Sequence, residues 1–240
     1  MDIRNPRSRH WLPKLVLVAC ANALASATTY AEAPMNTDDA GTLDKGVMKV
    51  EGVWSKNDKT SGGELLFGFS PIAHLELEVA ASRAKDDSTD PASKLRGVGF
   101  GAKWVPYRNE TGLSLGGRFD FGRVRIHDRE ADERYSERDH AITGLVSWQQ
   151  ENGQVLHLNL GAAQRETPGQ RHTVGTWSLG YEFPLAEKLQ LTVETFGEER
   201  LRPDKALGLR YEIFDGCKFS GALGRGNDRS FGQVGAAWEF

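Results

Sequence analysis

Residues 230–240 alternate to the last position: Val234, Ala236, Trp238 and Phe240 fall on one face, Gly235, Ala237 and Glu239 on the other. A period of two belongs to a strand whose faces meet two different environments. The pattern runs back through the chain. Leu75, Leu77 and Val79 alternate with His74, Glu76 and Glu78, and Val98, Phe100, Ala102 and Trp104 with Gly99, Gly101 and Lys103. Leu113, Leu115, Phe119 and Phe121 alternate with Ser114, Gly116, Arg118 and Asp120. Leu156, Leu158 and Leu160, then Trp177, Leu179, Tyr181 and Phe183, then Leu207, Leu209, Tyr211 and Ile213 repeat it. Helical spacing fits none of these runs, and about twelve strands are predicted.

A soluble β-sandwich would alternate too. Two features weigh against it. Glu and Arg repeatedly stand opposite large aliphatics. Connections also alternate in length: short turns near residues 70–74, 106–112, 150–154, 184–188 and 215–218, and longer charged stretches near 56–63, 83–94, 123–140, 164–173 and 198–205. The final strand resembles the closing strand of bacterial outer-membrane barrels, in which the last strand pairs with the first so that no edge remains in lipid. The expected fold is a single antiparallel transmembrane β-barrel over residues 45–240, with short periplasmic turns and longer external loops. Trp238 and Phe240 are the expected closure signal. Trp54, Trp104, Tyr107, Trp148 and Phe183 fall near strand ends, where an interfacial aromatic girdle would sit.

Composition agrees. Mean hydropathy is -0.49, polar overall, because each barrel strand shows lipid only every second residue. A net charge of -3 gives no argument for nucleic acid. Residues 1–31 read as a signal peptide: Arg4, Arg7, Arg9 and Lys14 precede an apolar run too short to span a bilayer, and small residues offer cleavage within 25–33. Leu17-Val18-Ala19-Cys20 also resembles a lipoprotein cleavage box. Residues 32–44 are expected to be a polar periplasmic lead-in. Cys20 and Cys217 are the only cysteines, so removal of the signal leaves no intrachain disulfide.

The expected lumen-lining residues are Lys49, Glu51, Glu76, Glu78, Lys103, Arg118, Asp120, His157, Glu182, Glu194, Arg210 and Glu212, with Glu64, Asn159 and Glu239 on the same face. A Lys or Arg facing lipid at the midplane costs about 2–4 kcal/mol, so these charges belong inside. They could line an open pathway or fill a narrow barrel with ion pairs; the sequence leaves both open. Nine carboxylates against four Lys and Arg in this set would favour cations in an open lumen. Arg118, Asp120, Arg210 and Glu212 are expected to form a mid-lumen charge cluster. HExxH, P-loop and GxGxxG patterns are missing, and no cofactor or metal site is expected. His157 with Asn159 is the nearest echo of a membrane phospholipase, but both face inward, and no enzyme activity is expected. Residues 123–140 hold six acids and five arginines. They read as a solvated loop, or one that meets lipopolysaccharide phosphates. The other expected partners are outer-membrane lipid and the barrel-assembly machinery.

The stretch Met35-Asn36-Thr37-Asp38-Asp39-Ala40-Gly41-Thr42-Leu43-Asp44-Lys45-Gly46, followed by Glu64-Leu65-Leu66-Phe67-Gly68-Phe69-Ser70-Pro71-Ile72-Ala73-His74-Leu75-Glu76-Leu77, resembles the opening of a family of outer-membrane transporters associated with the meta-cleavage pathway of phenol degradation. That resemblance implies an outer-membrane barrel taking up small, often hydrophobic or aromatic, compounds. It carries over no residue-level site.

Overall fold

The computed structural model describes residues 32–240; the expected signal peptide lies outside them. Twelve strands are present among the described residues. They are β1 (Met48–Asn57), β2 (Thr60–Ile72), β3 (Leu75–Asp86), β4 (Ser93–Tyr107), β5 (Gly112–Asp128), β6 (Glu133–Gln149), β7 (Val155–Thr167), β8 (Gln170–Ala186), β9 (Leu189–Glu198), β10 (Asp204–Phe214), β11 (Cys217–Gly226) and β12 (Arg229–Glu239). Each pairs antiparallel with its neighbours in sequence, and β12 pairs with β1 to close the barrel.

Closure runs in register from Lys49↔Glu239 to Asn57↔Phe231. Met48 and Phe240 exchange both backbone hydrogen bonds at 2.9 Å. The rings of Trp238 and Phe240 lie 4.7 Å apart on the outside of this seam. Every strand thus finds two partners, the condition for placing a sheet in hydrocarbon.

The alternation sorts side chains as physical chemistry requires. Leu65, Val79, Val98, Phe100, Phe119, Ile142, Leu160, Leu209 and Val234 point outward and are exposed. A contiguous apolar exterior of this kind would aggregate in water and is suited to lipid. The interior is polar: Lys49, Glu76, Glu78, Lys103, Arg118 and Asp120 are buried inside the wall.

Two expectations are corrected. The charged stretches read as long external loops are mostly strand. β5 and β6 each run 17 residues, well beyond the roughly 9–11 needed to cross a bilayer. Their charged ends keep pairing, down to Asp128↔Glu133. The far connections are therefore short, like those near the termini. Asn227 and Asp228 form a two-residue hairpin with φ of 48° and 58°, the geometry of a type I′ turn. A strand's ladder depends on backbone groups, so it continues where its outward residues change from apolar to charged.

The second correction concerns residues 32–44. They are not a lead-in outside the barrel; they arch across its lumen. Ala33, Met35, Thr37, Asp38, Ala40 and Leu43 are all buried. Glu32 meets Lys218 and Asp44 meets Arg108, both beside turns at the end where β1 begins. The arch enters and leaves by that end. Inward glycines make room for it: a Cβ on Gly208 would stand 2.7 Å from Pro34, and one on Gly180 would overlap the Met35 methyl.

Candidate functional site: an arch clamped across a charged lumen

The arch is held by two groups of lumen residues. The first lies on β1 and β3–β5. Lys49 Nζ stands 3.2 Å from Glu76 and 3.1 Å from Glu78. Arg118 reaches Glu78, Asp120 at 2.8 Å and Asp38 of the arch at 3.1 Å. Lys103 closes the set, 3.0 Å from Asp38 and 2.9 Å from Asp39. Consecutive inward positions on adjacent strands bring these residues together, as in the partners Glu76↔Lys103 and Lys103↔Arg118. Pairing of this kind lets buried charges persist, since an isolated one would cost several kcal/mol.

The second group lies across the lumen. Arg210 on β10 donates to the Glu32 carbonyl at 3.0 Å and the Ala33 carbonyl at 3.2 Å, and to the Glu182 carboxylate at 3.0 Å. Lys218 bridges Glu32 and Glu239 at 3.1 Å each. Burial alone would raise the Glu32 carboxyl, but Arg210, Lys218 and Lys49 outweigh it and hold the group below its ordinary value.

Backbone amides of the arch complete the fit. Glu51 accepts the Ala33 N–H at 2.8 Å and Glu76 the Leu43 N–H at 3.1 Å. Glu194 accepts from the Asn36 and Thr37 amides and from both of their side chains. Asn159 accepts the Asp38 N–H at 2.8 Å and donates to its carbonyl at 2.9 Å. The excess of carboxylates over cations in the wall thus meets N–H donors of the arch; a buried backbone segment needs such partners.

Of the twelve expected lumen residues, ten are fully buried; Glu182 and Glu212 are partly so. The expected four-residue cluster does not form. Arg118 pairs with Asp120, but Arg210 pairs with Glu182 on the other side of the lumen. Glu212 accepts the Gly216 N–H at 3.1 Å near a turn. The strands carrying Arg118 and Arg210 are β5 and β10, too far around the wall to meet.

Two arrangements have hydrolase overtones. Gly112-Leu113-Ser114-Leu115-Gly116 spells GxSxG. In hydrolases it marks a strand-to-helix elbow. Here it lies along β5, and the Ser114 hydroxyl accepts the Asn109 N–H at 2.9 Å. Ser147 Oγ lies 2.8 Å from His157 Nδ1, and His157 Nε2 lies 3.8 Å from Glu182. The Ser147 hydroxyl already accepts the Ala40 N–H at 2.7 Å, so this triplet pins the arch.

Beyond the arch, towards the far end, the lumen opens into a cavity of about 1930 Å³. Met35 and Asn36 form part of its floor, with Glu64, Arg165, Phe196 and Phe231 among its walls. Arg165 there is paired with Glu198. The lumen is therefore filled at one end and hollow at the other.

Solved structures share this architecture. The chain is similar to a KdgM porin in complex with disordered oligogalacturonate, at TM-score 0.62 and 11% identity over 80% of this chain and 99% of that one. It is similar to the COG4313 outer membrane channel from Pseudomonas putida F1, at TM-score 0.61 and 10% identity over 84% and 98%. The translocator domain of the autotransporter NalP from Neisseria meningitidis matches at TM-score 0.59 and 12% identity over 97% and 100%. At these identities the likeness shows the fold, that of outer-membrane barrels. No curated protein is similar to the chain by sequence at a significant level. Residues 19–220 match the family described as "Uncharacterised conserved protein UCP029691". The association with phenol meta-cleavage is not part of that description, and the chain belongs to this UCP029691 family.

Proposed function

We propose that the chain is an outer-membrane channel for small solutes whose pathway is closed, in the state described, by residues 32–44. The carrying observation is the asymmetry of the lumen: an arch fixed by ion pairs below, a cavity of about 1930 Å³ above. The apolar exterior supports residence in a membrane, and the shared fold with porins and channels supports passage through the lumen. Passage then requires the arch to shift or leave. The cavity wall carries more acidic than basic side chains, which favours cations or neutral polar solutes over anions. Phe196 and Phe231, whose rings lie 6.1 Å apart, give part of the wall an aromatic face, which suits the small aromatic solutes suggested by the sequence resemblance.

Swelling of vesicles containing the refolded protein tests this reading. Glycerol or a monosaccharide should enter slowly through the intact chain and faster through Gly180→Val, whose new side chain meets Met35 of the arch. Equal rates for both proteins, indistinguishable from empty vesicles, would leave the barrel a closed binding or structural element.

A further inference from the structure

The outside of the barrel carries a basic surface that the lumen account does not use. Beyond the apolar belt, the outward positions of β3–β6 align in register as rows of cations. Arg83 pairs with Arg96 and Arg96 with Arg125. One row farther out, Lys85 stands opposite Lys94 and Lys94 opposite His127. One row nearer the belt, Arg123 stands opposite Arg138. Like charges directly across a ladder destabilise it, so a surface built this way needs an external counter-charge.

The protein supplies little. Among the described residues Arg83, Lys94, Arg96, Arg125 and Arg138 make no ion pair. The outward acids lie at the margins of the surface. Asp87 meets Lys85 and Asp132 meets His127 in the outermost row. Glu166, ion-paired with Arg171, is the ladder partner of Arg138, so the Arg83–Arg96–Arg125 row is the one left without a carboxylate. Asp86, Glu137 and Asp139 are buried on the inner face. The rows also have a fixed height. Directly below them on the same strands lie Val79, Val98, Phe100 and Phe119, all exposed and apolar. The opposite wall differs: beyond its belt only Lys205 and its partner Arg225 stand as an outward basic pair on β10 and β11.

We propose that this β3–β6 surface binds the phosphorylated headgroup of a lipopolysaccharide molecule in the outer leaflet. Guanidinium groups suit phosphate because they offer paired, charge-assisted hydrogen bonds. Their place at the rim of the apolar belt matches a phosphate attached to acyl chains that pack on Val98 and Phe119. The proposal rests on the membrane-spanning reading of the barrel.

The experiment uses the full chain refolded in a non-ionic detergent. Binding of diphosphoryl lipid A, and of the same lipid with its phosphates removed, is followed by native mass spectrometry. Arg96→Gln/Arg125→Gln relieves repulsion and should fold, as a heat-modifiable gel mobility would confirm. It should bind diphosphoryl lipid A about tenfold more weakly or worse, which corresponds to about 1.4 kcal/mol. Lys205→Gln/Arg225→Gln should bind like the unaltered protein, and the dephosphorylated lipid should bind poorly to all three. Equal binding of both lipids, equal loss in the two variants, or no binding to the unaltered protein would overturn the site. Insertion into phosphatidylcholine vesicles, free of lipid A, tests the spanning reading separately; failure there would overturn that reading instead.

Discussion

Asp38 of the arch lies 3.1 Å from Arg118 of β5, and both side chains are buried inside the barrel. Because Arg118 also holds Glu78 and Asp120, it joins the wall to the arch. The two ends of this contact have different consequences when removed.

Arg118→Gln leaves Glu78, Asp120 and Asp38 without their shared cation. Breaking a buried pair by removing one partner costs about 3–5 kcal/mol. This variant should assemble poorly, seen as loss of the heat-modifiable band. Asp38→Asn removes one of the arch's charges, leaves Asp39 on Lys103 and keeps the backbone bonds to Asn159. It should assemble normally yet expose residues 32–44 to protease. Equal assembly of the two variants would argue against Arg118 as the joint.

Gly208→Val should act like Gly180→Val. At Gly208 the added carbon would meet Pro34 and the Thr192 hydroxyl, at 2.7 and 2.6 Å. The ladder can keep its register while the arch cannot keep its path. Ion flow should rise above that of the unaltered protein, with no change in unfolding temperature larger than a few degrees. An undisturbed arch in both variants, judged by protease protection, would contradict the tight fit.

Closure of the barrel depends on the outward aromatics of β12. Replacing Trp238 and Phe240 with Lys forfeits about 1.5–3 kcal/mol of apolar transfer for each side chain and sets charge beside lipid. The yield of folded protein in the membrane should fall severalfold. Normal yield would remove these residues from the closing signal.

Acid should loosen the Glu32 tether in a defined direction. Its carboxyl lies below the ordinary value of 4.5 when folded. The tether's contribution is therefore complete above that value and is lost as pH falls through the lower, folded one. Glu32→Gln should abolish the part of the arch's acid sensitivity that titrates there. Identical acid profiles of protease nicking in the two proteins would show that the tether contributes nothing.

The wall was legible in the sequence because its rule is local: Lys49, Glu76, Glu78, Lys103 and Arg118 alternate with residues suited to lipid. The arch was not. Residues 32–44 have no period, and contacts such as Asp38 to Arg118 exist only after the wall has closed. A trace of it stood in the unbalanced carboxylates Glu51, Glu76 and Glu194, whose partners are arch amides. The strand extensions were misread for a different reason. Arg83, Arg96 and Arg125 occupy outward positions where lipid would demand apolar residues, so the alternation lost its contrast although the ladder continued.

The most direct test is single-channel recording in planar bilayers, comparing the full chain with a variant lacking residues 33–43, both shown to be folded by heat-modifiable mobility. An arch that closes the pathway predicts rare or small steps for the full chain and frequent, larger steps for the deletion, with a reversal potential favouring cations. Steps of the same size and frequency in both proteins would contradict it, and an anion-favouring reversal potential would contradict the acidic pathway.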